Sequence, residues 1–173
     1  IQNYRRLSPS EMGSMTALEK RIKRKITGRP HQFFAACPPG LTRLCFREMI
    51  QLGFTQDQLA VIPGGVEFTA RPDRAMLAAL YLRSPVRILF RMAQFKASNF
   101  NILEKKLSEM DWQIFLPARC RLNLKISCRQ SRLYHSDAIS SRIMDIVTGR
   151  GGIDVCSGPD TTLYVRNEND RFT

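Results

Sequence analysis

Residues 119–129 alternate without a break. Even positions carry Cys120, Leu122, Leu124, Ile126 and Cys128; odd positions carry Arg119, Arg121, Asn123, Lys125, Ser127 and Arg129. A period of two sends one set into a core and the other into water. The stretch therefore predicts a strand covered on one face only. At about 3.3 Å per residue, its wet face sets out four cations within about 35 Å. Such density of one sign suits contact with phosphates. The bland reading, cations that only keep a strand face soluble, stays open.

The strand belongs to a wider imbalance. The chain of 173 residues has 27 Lys and Arg against 15 Asp and Glu, a net charge of +12. The excess is concentrated: residues 1–30 carry +6 and residues 119–132 carry +5, whereas residues 133–173 carry −2. Patches of this kind attract polyanions, nucleic acid first and an anionic membrane surface second. No run reaches the 18 or so apolar residues of a membrane span. The start, Ile1 to Arg6, lacks an apolar stretch behind it and lacks an initiator Met. We expect no secretory signal, a cytoplasmic setting, and a native N-terminus out of view.

The first cluster reads as a basic leader, helical over part of residues 1–30. Ser8-Pro9-Ser10-Glu11 offers cap chemistry, and Met15, Leu18, Ile22 and Ile26 recur at three- and four-residue steps. Lys20, Arg21, Arg24 and Lys25 lie off that stripe and form an accessory candidate for polyanion contact. Gly28 and Pro30 end the helix. A solvated helix or a disordered leader explains the same residues.

From residue 31 the chain punctuates itself into short elements. His31 to Cys37 holds the apolar run Phe33-Phe34-Ala35-Ala36, a buried strand, broken by Pro38-Pro39-Gly40. Leu41, Leu44, Cys45, Met49 and Leu52 have helical spacing. Residues 59–62 and 66–69 form a hairpin around Pro63-Gly64-Gly65. Pro72 and Asp73 open a helix through Leu82, and Val86, Ile88, Phe90 and Met92 alternate with Arg87 and Arg91 as a long strand. The order β-α-β-β-α-β over residues 31–96 predicts a ferredoxin-like subdomain. A second unit, residues 97–173, starts with a helix capped by Ser98 or Asn99. The basic strand follows, then a helix from Ser136 with Ile139, Ile143 and Ile146 inward, and a strand over 162–165. The fold class is α+β. With only the beginnings of a further segment before Thr173, this unit reads as C-terminally incomplete.

Between the basic strand and the next helix lies Ser127 to Ser136, bearing Arg129, Arg132, Tyr134 and His135. A helix N-terminus favours anions, arginine adds planar donors, and Tyr134 offers a ring for a base or sugar. The candidate binding residues are thus Arg119, Arg121, Lys125, Arg129, Arg132, Tyr134 and His135. An ordinary polar loop remains the alternative. Five cysteines with no Cys-x-x-Cys pair and only His31 and His135 beside them make a metal site a poor reading, and free thiols in a reducing compartment a better one. No nucleophile elbow, phosphate loop or dinucleotide fingerprint is present. We assign no catalytic residue and no metal ligand.

Phe33 to Leu41, Pro63-Gly64-Gly65-Val66-Glu67-Phe68 and Leu82 to Leu89 together resemble the ferredoxin-like opening of THUMP-domain RNA methyltransferases. Ser131 to Ile139 and Val165 to Asp170 resemble the THUMP part, over residues 31–173 in all. The resemblance points to bacterial enzymes that methylate guanine N2 in 23S ribosomal RNA. It implies a substrate-recruiting region that binds RNA, with no cofactor in this chain. S-adenosylmethionine would belong to a catalytic methyltransferase domain elsewhere in the parent protein. The alternative is a stand-alone nucleic-acid-binding module without enzymatic activity; a membrane-peripheral role is a distant third.

Overall fold

In a computed structural model, residues 16–156 and 158–173 are described. The cap expected at Ser8–Ser10 lies outside them. The described leader starts at Thr16, whose hydroxyl accepts from the Glu19 amide while the Glu19 carboxylate accepts from the Thr16 amide. This reciprocal capping box starts helix α1 (Ala17–Ile22), which widens into a π turn over Lys23–Thr27.

Strands β1 (His31–Ala36), β2 (Leu59–Ile62), β3 (Gly65–Ala70) and β4 (Arg87–Phe90) form an antiparallel sheet in the order β2-β3-β1-β4. Helices α2 (Thr42–Gln51) and α3 (Pro72–Tyr81) complete the ferredoxin-like βαββαβ order. Phe33, Ala35, Val66 and Phe68 point into one core with Cys45 and Met49 of α2 and Ala75 and Ala78 of α3. Two adjacent glycines set this sheet. Gly64, with φ +88°, closes the β2–β3 hairpin, and Gly65 lies so close to β1 that a Cβ would meet the Ala35 carbonyl oxygen at 2.0 Å. The strand expected through Met92 is shorter: β4 stops at Phe90, and Val86 is exposed.

A second sheet runs β5-β8-β7-β6, from β5 (Phe95–Lys96), β6 (Arg121–Arg129), β7 (Asp160–Glu168) and β8 (Arg171–Phe172). Helices α4 (Phe100–Ser108), capped by the Asn99 side chain, and α5 (Ser136–Gly149) cover one face. Leu103, Leu107, Ile139, Ile143, Val147, Leu122, Val165 and Phe172 form its core. Trp112 is buried there and its indole donates to the Leu107 carbonyl at 2.9 Å. The β6–α5–β7 crossover makes β6 and β7 parallel, paired from Arg121–Asp160 to Arg129–Glu168. The last residues find partners inside this sheet: β8 folds back on β7 through Asn169-Asp170, both at positive φ, and pairs β5 on its other side.

Candidate nucleic-acid interface

The alternation of residues 121–129 survives in three dimensions. Arg121, Asn123, Lys125, Ser127 and Arg129 are exposed, Leu122 is buried, and Leu124, Ile126 and Cys128 are half-buried. Arg119 stands just before the strand, in an isolated bridge to Asp154, so the regular strand is shorter by two residues than the alternation implies. β6 is an edge strand, and its cations project from the face of the sheet opposite its core.

Their electrostatic surroundings differ. Arg121 Nε lies 3.6 Å from the Asp160 carboxylate, with both side chains about two-thirds exposed. Pairs this wet are worth about 0–1 kcal/mol and exchange readily for another anion. Lys125 Nζ lies 5.8 Å from the centre of the Tyr164 ring. Lys125 and Arg129 have no carboxylate at ion-pair distance among the described residues.

The loop after β6 is anchored by the β7–β8 turn. Ser131 donates to the Arg129 carbonyl and accepts from the Asp170 amide, and the Arg132 amide donates to Asp170 Oδ1 at 2.7 Å. Asp170 Oδ2 also lies 3.7 Å from Arg132 Nε. Beneath them Asn167, fully buried, donates to the Leu133 carbonyl at 2.8 Å. Leu133 is thereby drawn inward while Tyr134 is 65% exposed. Tyr134 and His135 rings lie 4.0 Å apart at the start of α5, where the first amides have no partner within the helix. Asp137 in that first turn already meets part of the helix dipole. Arg129, Arg132, Tyr134 and His135 thus lie at the C-terminal end of β6, with Lys125 mid-strand and Arg121 at the other end.

The leader behaves differently from its charge count. Arg21 donates to one oxygen of Asp111, and Lys25 Nζ lies 3.0 Å from the other. The Arg21 guanidinium chiefly, with Lys25, holds the Asp111 carboxyl below its usual range against the opposing effect of burial. Two of the four leader candidates are therefore committed to a carboxylate 86 and 90 residues away. Lys20 and Arg24 make no ion pair among the described residues.

Sequence reading missed a second cluster. Arg87 of β4 donates to the Tyr164 hydroxyl of β7, and its guanidinium carbon lies 5.2 Å from that ring's centre. Arg91 pairs with Glu67 and donates to Gln32 at 2.8 Å. Alternation of Arg87 and Arg91 with Ile88 and Phe90 was a signal that both face away from the first core, but not of what they face.

Burial raises the thiol of Cys45 to about 12 and also pushes up Cys37, Cys120 and Cys128. At neutral pH these four are protonated, which suits packing and not nucleophilic chemistry. The described residues contain no group of three metal-ligating side chains and no helix long and apolar enough to cross a membrane.

Residues 32–89 match the model of the RlmL ferredoxin-like domain. A curated relative, ribosomal RNA large subunit methyltransferase K/L of Syntrophotalea carbinolica, is 26% identical over 152 residues, covering 83% of this chain and 21% of the relative. Three further relatives have the same name. The chain spans about a fifth of the length of that first relative. These findings support the resemblance read from the residues, an N-terminal region of a THUMP-type 23S rRNA methyltransferase. Solved structures share the fold beyond the RlmL ferredoxin-like domain. A predicted N6-adenine-specific DNA methylase from Listeria monocytogenes superposes with a TM-score of 0.74 at 21% identity, over 84% of this chain and 39% of that one. SMU.472, solved in complex with SAH, gives 0.72 at 19% identity, over 83% and 40%.

Proposed function

We propose that this chain is the RNA-binding, substrate-recruiting part of an S-adenosylmethionine-dependent methyltransferase acting on 23S ribosomal RNA, with guanine N2 as the target. Methyl transfer, and the cofactor, belong to a catalytic domain outside these 173 residues. Residues 31–96 serve as the ferredoxin-like subdomain and residues 97–173 as the THUMP subdomain. The setting is the cytoplasm.

The observation that carries the reading is the row of exposed cations on β6 running into the Arg132–Tyr134–His135 loop. Phosphates meet the strand cations, which fixes register, while the loop ring contacts an unpaired base or sugar. The relatives' name supplies the substrate class, and their greater length supplies room for the catalysis.

The test is fluorescence anisotropy with a structured ribosomal RNA fragment across a salt series. Neutralising Arg121, Lys125 and Arg129 together by alanine should weaken binding and lower the salt slope by about 2 to 3, since each lost phosphate contact removes about 0.7–0.9. The isolated chain should transfer no methyl group from S-adenosylmethionine. An unchanged slope in a variant that melts normally refutes the interface. Methylation by this chain alone refutes the division of labour.

A further inference from the structure

The two sheets each carry helices on one face, and a cleft of about 700 Å³ lies between their other faces and reaches into the second core, where Leu103, Leu107 and Ile143 also line it. Phe34 of β1 and Leu89 of β4 line it from one side, and Lys125, Ser127 and Tyr164 from the other. The volume lies within the range of small-ligand sites and far exceeds what a nucleobase fills. Tyr164 stands at its edge with two cations beside the ring: Arg87 from the first sheet, which also bonds the hydroxyl, and Lys125 from the second. Arg91 is also in the cleft wall. Two of its nitrogens are engaged by Glu67 and Gln32, but its Nε is buried without an acceptor.

We propose that this cleft is a nucleotide site, taking one unpaired nucleotide of a bound RNA. The base enters between the apolar walls and stacks on Tyr164, displacing the cation that lies over that ring face. The phosphate is held by Arg87 and Lys125. The inference rests on the RNA reading above but uses residues of both sheets that the β6 track does not include, Lys125 apart. It explains why an aromatic ring and two cations from different sheets converge where a simple packing seam would need none of them.

The experiment compares two labelled RNA stems of equal sequence, one carrying a single unpaired nucleotide and one fully paired, by anisotropy against the full chain. Wild type should prefer the first by about tenfold, the scale of one base–aromatic stack. Tyr164→Leu should reduce the preference to less than twofold, and Arg87→Ala should reduce it too. Tyr164→Phe, which keeps the ring and loses only the hydroxyl, should retain it. Arg129→Ala, on the strand track, should weaken both RNAs alike. Thermal melts identify variants that fold normally, and only those are compared. No preference in wild type, or full preference in folded Tyr164→Leu, overturns the cleft assignment while leaving RNA binding intact. No binding to either stem overturns the RNA reading itself.

Discussion

Asp111→Asn tests whether the basic leader is a tethered element or a free arm. Asp111 is one-quarter exposed and is engaged by two cations, Arg21 at 38% and Lys25 at 44% exposure. An exposed pair contributes up to about 1 kcal/mol, so two pairs on one partly shielded carboxylate hold the leader by about 1–2 kcal/mol. Removing the charge should raise the population of the detached leader by a factor of about 5–30. Trypsin reports this directly, because Lys20 and Arg24 are cleavable once α1 leaves the 3-10 turn at Trp112–Ile114. When opening is fast relative to cleavage, the cutting rate follows the open population. The carboxyl is held below its ordinary range, so its contribution is complete above the unfolded value near 4. That contribution is lost as pH falls through the folded value. Wild type should therefore release the leader on acidification below about pH 4, and the variant should show no such step. Cleavage at neutral pH changing by less than twofold would refute the tether.

Gly65→Ala should lower the melting temperature by roughly 5–15 °C, followed by circular dichroism, because its Cβ would meet the Ala35 oxygen at 2.0 Å and force β1 and β3 apart. Gly149→Ala, with nothing within 4 Å of the added atom at the end of α5, should be neutral or slightly stabilising in the same assay. Asp170→Ala removes both contacts to Arg132 and should cost about 1 kcal/mol in a urea melt.

What the sequence reveals follows the range of the interactions involved. The strand β6 is legible because alternation is local, and α4 and α5 because Leu103, Leu107, Ile139 and Ile143 repeat at helical spacing. β5 and β8, two residues each, offer no periodicity; pairing with neighbours alone makes them strands. The tether of Arg21 and Lys25 spans 86 to 90 residues, and the link between Asp170 and Arg132 spans 38, so charge counts along the chain overstate the free cations. Phe34 is a middle case. An apolar run through Phe33-Phe34-Ala35 signals a strand covered on both faces. Phe33 and Ala35 fill the first core, but what lies over Phe34 depends on how the two sheets oppose, which no local pattern encodes.

The same distinction bears on how the basic strand would hold a polyanion. Arg121 and Arg132 already have Asp160 and Asp170 within 4 Å, whereas Lys125 and Arg129 have no described carboxylate at that distance. For the first two, a phosphate must replace an exposed carboxylate, an exchange nearly neutral in energy at 66% and 77% arginine exposure. For the second two it adds an interaction outright. RNA affinity on this track should then come mainly from Lys125 and Arg129, with Arg121 and Arg132 setting position. Alanine at Arg129 should therefore weaken binding more than alanine at Arg121, measured at one salt concentration with the same RNA. Equal losses at the two positions would mean that Asp160 does not compete with phosphate for Arg121. The track would then act as uniform charge, and the carboxylates beside it would have no part in setting where the RNA lies.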